Sequence, residues 1–178
     1  MSKKLTDPLL IAAKVITIMA QILTILAMVL LGIGIAVVLT VGRAEVLAEM
    51  GKAGVPDYGT WLIAAAMLTG MGLMWLGQRF FSELRGIIDS VGDGDPFHPE
   101  NADRLSRMGW ISVAAQVLLL PIGAMALWFA SYADKVDKDL HVGGGLDGGG
   151  ILLTLILFIL ARVFREGTRM REELEGTV

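Results

Sequence analysis

The densest group of side chains that could bind a metal ion lies in one short polar segment. It contains Asp134, Asp137, Asp139 and His141. Hard cations such as Ca²⁺ and Mg²⁺ prefer carboxylate oxygens, so these residues could form a cation site. Two lysines dilute the negative charge of the segment, and the spacing matches no known calcium loop. The pattern therefore favours a solvated loop and leaves the cation site open.

Three methionines are spaced so that a helix would place them on one face. Met67, Met71 and Met74 follow the i, i+4, i+7 pattern. Thioether sulfurs can bind Cu(I), but the chain has no cysteine and neither histidine is near these positions, so we expect the methionines to pack. No group of residues resembles a catalytic site. We therefore expect no enzyme activity, no cofactor and no resident metal.

Two glutamines are the deepest polar side chains in the apolar parts of the chain. Gln21 and Gln116 each lie about 9–10 Å inside the expected membrane boundary, at about 1.5 Å per helical residue. Equal depth predicts a hydrogen bond between two spans, which contributes about 1 kcal/mol. The alternative is a polar ligand site between them, or a pore for a polar solute in an oligomer.

The elements that position these residues follow from the distribution of apolar residues. The chain has 178 residues, 54% of them hydrophobic, and a mean hydropathy of +0.66. Its apolar residues form four long blocks with few charges, which is typical of transmembrane helices. The expected spans are about 15–41, 60–78, 110–132 and 148–164. The first block is too long for a cleaved signal, and we expect it to remain as a signal anchor. The sequence therefore predicts an all-α integral membrane four-helix bundle, with residues 1–178 forming a single transmembrane domain.

The basic residues predict the orientation of the spans. If the N-terminus, the segment 79–107 and the C-terminus from Arg162 share one side, that side carries eleven of the 15 lysines and arginines. Basic residues favour the cytosolic side, so we expect both termini in the cytosol and the protein in the inner (cytoplasmic) membrane. The eleven are Lys3, Lys4, Lys14, Arg79, Arg85, Arg104, Arg107, Arg162, Arg165, Arg169 and Arg171.

Spans 2 and 4 are expected to continue as cytosolic amphipathic helices. After span 2, apolar residues recur at helical spacing from Phe80 to Val91. At the end of span 4 a similar stripe begins at Leu160 and runs to Leu174, and the helix to Glu175 carries four arginines and four glutamates. Such faces need an apolar cover from the same chain, a second subunit or a cytosolic protein. The balanced charge predicts no direct binding of nucleic acid.

Two stretches are similar to a known family. The first is Phe97-His98-Pro99-Glu100-Asn101-Ala102-Asp103-Arg104-Leu105, followed by Gly109-Trp110. The second is Leu160-Ala161-Arg162-Val163-Phe164-Arg165-Glu166-Gly167, followed by the C-terminal residues to Val178. Both resemble the four-span bacterial membrane proteins called domain of unknown function 2975. The resemblance implies a four-span fold without an assigned activity. Relatives are often encoded beside a small helix-turn-helix transcription factor, which suggests a membrane-bound regulator.

These observations together predict a non-enzymatic regulatory or scaffold protein. Its partners would be the lipid bilayer, a cytosolic helix-turn-helix regulator and a second copy of itself in a homo-oligomer. The alternative is a small oligomeric transporter or channel for a polar solute. The residues expected to bind the cytosolic partner are Phe97, Glu100, Asn101, Arg104, Arg162, Arg165, Glu166 and Arg169.

Overall fold

The structure is a computed structural model that describes residues 8–40, 42–132 and 148–175. Within them it contains five helices and no strand: α1 (Pro8–Leu39), α2 (Arg43–Lys52), α3 (Gly59–Gly92), α4 (Pro99–Ala130) and α5 (Gly148–Glu175). Every helix except α2 is long and apolar enough to cross a membrane. The prediction of an all-α helical bundle with four spans is therefore confirmed. The possible cation site at residues 134–141 lies outside the described residues.

The long helices extend beyond the apolar blocks that predicted them. α3 continues to Gly92 and α5 to Glu175, so both expected extensions are present. α4 joins the helix that begins at Pro99 to the third span without interruption. Gly109 lies at this junction, and the Phe158 ring lies 2.9 Å from the position that a β-carbon there would take. Glycine is therefore needed at this position because α5 approaches α4 closely.

Contacts within the chain divide it into two compact units. Unit 1 comprises Met1–Thr24, Leu76–Ala114 and Gly148–Val178, and unit 2 comprises Ile25–Trp75 and Ala115–Asp147. In unit 2, the methionine face of α3 packs on glycines of α1. Met67 lies against Gly34, and the Met71 methyl lies 3.6 Å from the β-carbon position of Gly32. This contact supports a packing role for the methionines.

Unit 1 has a small apolar core on the extended parts of the helices. Buried residues from α4 and α5 form its centre, and partly buried residues of α3 and α5 pack around it. The central residues are Leu105, Met108, Leu157 and Ala161, and the surrounding ones are Phe80, Leu84, Ile87 and Phe164. The apolar face of the α3 extension is therefore covered by the same chain.

Polar contacts also join the spans of unit 1. The Gln78 side-chain amide donates to the backbone carbonyl of Gln21 over 2.6 Å. Thr154 donates from its hydroxyl to the Ser112 hydroxyl over 2.8 Å, and both side chains are buried. Hydrogen bonds of this kind hold membrane helices together where apolar packing alone gives no preference over lipid. The predicted pairing of Gln21 with Gln116 stays a prediction; Gln116 belongs to unit 2 and is 9% exposed.

Candidate functional site

Most predicted partner-binding residues lie at one end of unit 1, which we call the polar end. We define the polar end as residues 79–109 of α3, α4 and their connection, together with residues 162–174 of α5. The connection after α3 turns sharply at Gly94, whose φ is +86°. Only glycine adopts this left-handed conformation without strain. The turn brings the backbone N–H of Asp95 to the Ser90 carbonyl at 3.0 Å and directs the chain towards α4.

His98 begins α4. The His98 Nδ1 accepts a hydrogen bond from the backbone N–H of Glu100 at 3.4 Å. The His98 carbonyl accepts one from the backbone N–H of Asn101 at 2.9 Å. Pro99 follows at the first helical position, where its fixed φ is suitable and its missing N–H has no cost. Histidine therefore takes the capping role that serine or threonine commonly fills at a helix N-terminus.

Asn101 is fully buried and uses its side-chain amide inside the chain. Its Nδ2 donates to Ser90 Oγ at 2.7 Å and to the Pro96 carbonyl at 3.0 Å. Its Oδ1 accepts from Arg104 at 3.0 Å. These bonds connect the end of α3, the turn and the start of α4. Asn101 therefore stabilises the polar end and has no exposed surface with which to contact a partner.

Arg104 connects the same elements from the other side. Its Nη1 donates to the Gly86 carbonyl at 2.9 Å, and its Nη2 lies 2.6 Å from a Glu100 carboxylate oxygen. A β-carbon at Gly86 would lie 2.8 Å from Arg104 Nε, so this glycine makes room for the guanidinium. Four fifths of the Arg104 side chain is covered, whereas Glu100 is 62% exposed. Of the two, Glu100 is the residue that presents a surface.

A second arginine joins α3 and α4 one turn further on. Arg107 donates from Nε and Nη2 to the two carboxylate oxygens of Glu83, each over 2.8 Å. The hydrogen bonds that Arg107 donates to Glu83 raise the pKa of Arg107 above its usual value, and burial opposes this effect. The bidentate geometry fixes the guanidinium in one plane and restricts sliding between the two helices.

The end of α5 packs against the α3–α4 connection. The Phe97 ring lies 5.6 Å from the Phe164 ring and 2.8 Å from the β-carbon position of Gly167. Thr168 donates from its hydroxyl to the Phe97 carbonyl over 3.1 Å. Arg171 pairs with Asp95 at 2.5 Å. Phe97 is therefore partly used within the chain, although it is still 42% exposed.

One face of the α5 extension stays exposed and apolar. Val163, Met170 and Leu174 are 55%, 52% and 72% exposed. Their spacing places them on one side of the helix, and we call them the exposed ridge. Charged residues flank it: Arg169 contacts Glu166 at 2.6 Å and Glu173 at 3.4 Å. The stripe expected from the sequence is thus divided, with Phe164 and Gly167 packed and the exposed ridge uncovered by the described residues.

A groove between α4 and α5 collects three of the predicted residues. It has a volume of about 350 Å³, and we call it the α4–α5 groove. Its lining consists of Ser106, Phe158, Ala161, Arg162, Arg165 and Glu166. Sequence reasoning missed Ser106 and Phe158, although Phe158 lies one helical turn before Arg162 on the same side of α5.

A second cavity, of about 450 Å³, lies beside the turn after α3 and is rich in carboxylates. Its lining includes Asp89, Asp93, Asp95, His98 and Glu100. Within the part of the chain that the structure describes, no three such side chains come together in a way that could hold a metal ion. Asp89 is also engaged by Lys14 at 2.6 Å.

The comparison with known proteins identifies a family and no closer relative. A family model described as "Protein of unknown function (DUF2975)" matches residues 39–178. No curated protein matches the chain. No solved structure matches it either.

Proposed function

The chain belongs to the DUF2975 family, and we propose that it is a regulatory or scaffold protein of the membrane whose polar end binds a soluble helix-turn-helix transcription factor. In this proposal both termini lie in the cytosol, as the basic residues predict. The observation that carries the proposal is the exposed ridge. It is an apolar face on the extension of α5, where most of the other residues are charged.

Met170 and Leu174 of the exposed ridge lie past the expected fourth span, and Val163 lies at its C-terminal end. The residues between and beside the members of the exposed ridge include Arg165, Glu166, Arg169 and Glu173, which would be costly to place in hydrocarbon. An apolar stripe in water is typical of an interaction surface. Covering a Val, Met or Leu side chain fully contributes about 1.5–3 kcal/mol. Scaled by the exposed fractions, covering all three would contribute about 3–5 kcal/mol before the costs of association.

The charges around the exposed ridge favour a helical partner. Glu166, Arg169 and Glu173 alternate in sign along one flank. A partner helix that lays an apolar face on the exposed ridge would meet these charges at its rim, where they contribute more to specificity than to affinity. A small helix-turn-helix protein can present such a helix. Holding it at the membrane would keep it away from DNA.

Site-specific photo-crosslinking in native membranes tests the proposal. A photoreactive amino acid at Met170 should give an adduct with a small helix-turn-helix protein. For the double variant Met170→Ala, Leu174→Ala, the photoreactive residue is moved to Val163. Its adduct should be at least tenfold weaker than that of the otherwise unaltered chain with the photoreactive residue at Val163.

The control variant is Glu172→Ala, an alanine change on the same turn of α5 that leaves the charged flank of Arg169 and Glu173 intact. Its adduct should match that of the unaltered ridge. Adducts with lipid or with a second copy of the chain alone, or an equal loss of adduct in both variants, would contradict the proposal.

A further inference from the structure

The α4–α5 groove lies at the level where both helices leave their apolar blocks. On α5, residues 148–161 carry no charge and Arg162 is the first charged residue. On α4, Arg107 is the last charged residue before the apolar block, and Trp110 follows it. Trp110 is 65% exposed and packs edge-on against Phe158 at 5.5 Å. An exposed tryptophan beside the first charges is typical of a membrane–water boundary.

The arginines of the groove are poorly neutralised by the other residues that the structure describes. Among the described residues, Arg162 has no ion pair, hydrogen bond or ring contact, whereas every other described arginine has one. Arg165 reaches only Asp103, at 3.4 Å, and both side chains are more than 60% exposed. Exposed pairs of this kind are weak. Glu166, the single acid of the groove, is engaged by Arg169 at 2.6 Å.

We infer that the α4–α5 groove binds the phosphate of an anionic phospholipid, with Arg162 and Arg165 as its ligands. The two guanidinium groups are three residues apart on α5, so one phosphate can accept hydrogen bonds from both. Ser106 adds a hydroxyl donor from α4. The acyl chains would continue along the apolar side of the groove, beside Phe158 and the exposed Ile159.

Lipid is favoured over a soluble anion because the groove is continuous with the lipid-facing surface of α5. Basic pockets between spans near the cytosolic surface are recurrent sites for anionic head groups. The volume of about 350 Å³ lies within the range of small-ligand sites, roughly 300–1,000 Å³. The inference goes beyond the proposed function, since Val163, Met170 and Leu174 do not line the groove.

Native mass spectrometry of the purified full chain, released from detergent with defined lipids, tests the inference. With equal phosphatidylglycerol and phosphatidylcholine, the chain should retain phosphatidylglycerol at least tenfold more. The variant Arg162→Gln, Arg165→Gln should lose this preference. The control Arg85→Gln, Arg171→Gln removes the same charge from the polar end, outside the groove and away from Glu166, and should keep it.

Further arms separate the possible failures. The single variant Arg162→Gln removes a side chain that has no partner among the described residues, so its fold should persist while the preference falls at least threefold. The preference should survive the Met170→Ala, Leu174→Ala change, which affects only the proposed partner surface. Equal retention of both lipids by the unaltered chain, or displacement of phosphatidylglycerol by millimolar inorganic phosphate, would overturn the assignment.

Discussion

Replacing Asn101 with alanine should destabilise the polar end more than any exposed change near it. The substitution removes three hydrogen bonds: to Ser90, to the Pro96 carbonyl and from Arg104. Neutral bonds contribute about 0.5–1.5 kcal/mol each, and bonds to charged groups about 1.5–3 kcal/mol. Because the site is fully buried, water cannot replace the lost partners without opening the turn. The expected cost is therefore about 3–5 kcal/mol.

Thermal unfolding in detergent measures this cost. For a chain of this size, 1 kcal/mol shifts the melting temperature by about 2–4 °C, so Asn101→Ala should lower it by about 10 °C. Hydrogen exchange should show the loss of protection concentrated at residues 86–98 and the start of α4. The matched control is Asp103→Ala, two residues along the same helix. Its side chain is 65% exposed and, among the described residues, forms one ion pair, at 3.4 Å with Arg165.

The control should change the melting temperature by less than about 2 °C, since exposed ion pairs contribute about 0–1 kcal/mol. The reasoning would be refuted if the two variants had the same melting temperature. It would also be refuted if Asn101→Ala melted lower but left exchange at residues 86–98 unchanged, because the loss would then arise elsewhere.

Two further experiments test the packing of α5 and the orientation of the chain in the membrane. Gly167→Ala should destabilise the fold by about 1–3 kcal/mol in thermal unfolding, because its β-carbon would lie 2.8 Å from the Phe97 ring; Gly92→Ala, which meets nothing within 4 Å, should show no such loss. The chain has no cysteine, so a single introduced cysteine can report on which side of the membrane a residue lies. A membrane-impermeant maleimide added to intact spheroplasts should label Lys52→Cys and not Glu172→Cys. The reverse pattern would refute the cytosolic placement of the polar end.

The partner and lipid proposals assign different faces of α5 to different ligands. The exposed ridge contains Val163, Met170 and Leu174, whereas the α4–α5 groove contains Arg162 and Arg165. Since Glu166 lines the groove and also flanks the exposed ridge, lipid and protein would meet at this residue. A bound phosphate would draw Arg165 towards the groove and away from Asp103, whose pairing with it is already weak.

The sequence by itself determined the four spans, the helical extensions and the family resemblance. Each depends on local information: the length of an apolar block, the period of its residues, or a contiguous motif. In the structure, the helix that contains the fourth apolar block, α5, begins at Gly148. A membrane-spanning helix can be predicted without knowing which residues pack against it, because its backbone hydrogen bonds are formed within the helix.

Only the tertiary structure decided which of the predicted partner-binding residues have surface to offer. In the sequence, Asn101 and Arg104 looked equivalent to Arg162. In the structure, Asn101 is fully buried and four fifths of the Arg104 side chain is covered. Arg162 lacks a partner among the described residues. The difference arises from the rotation of each helix about its axis and from the turn at Gly94, which brings α3 and α4 together. Neither is encoded in helical periodicity, because burial of one side chain depends on residues distant in the chain that pack against it.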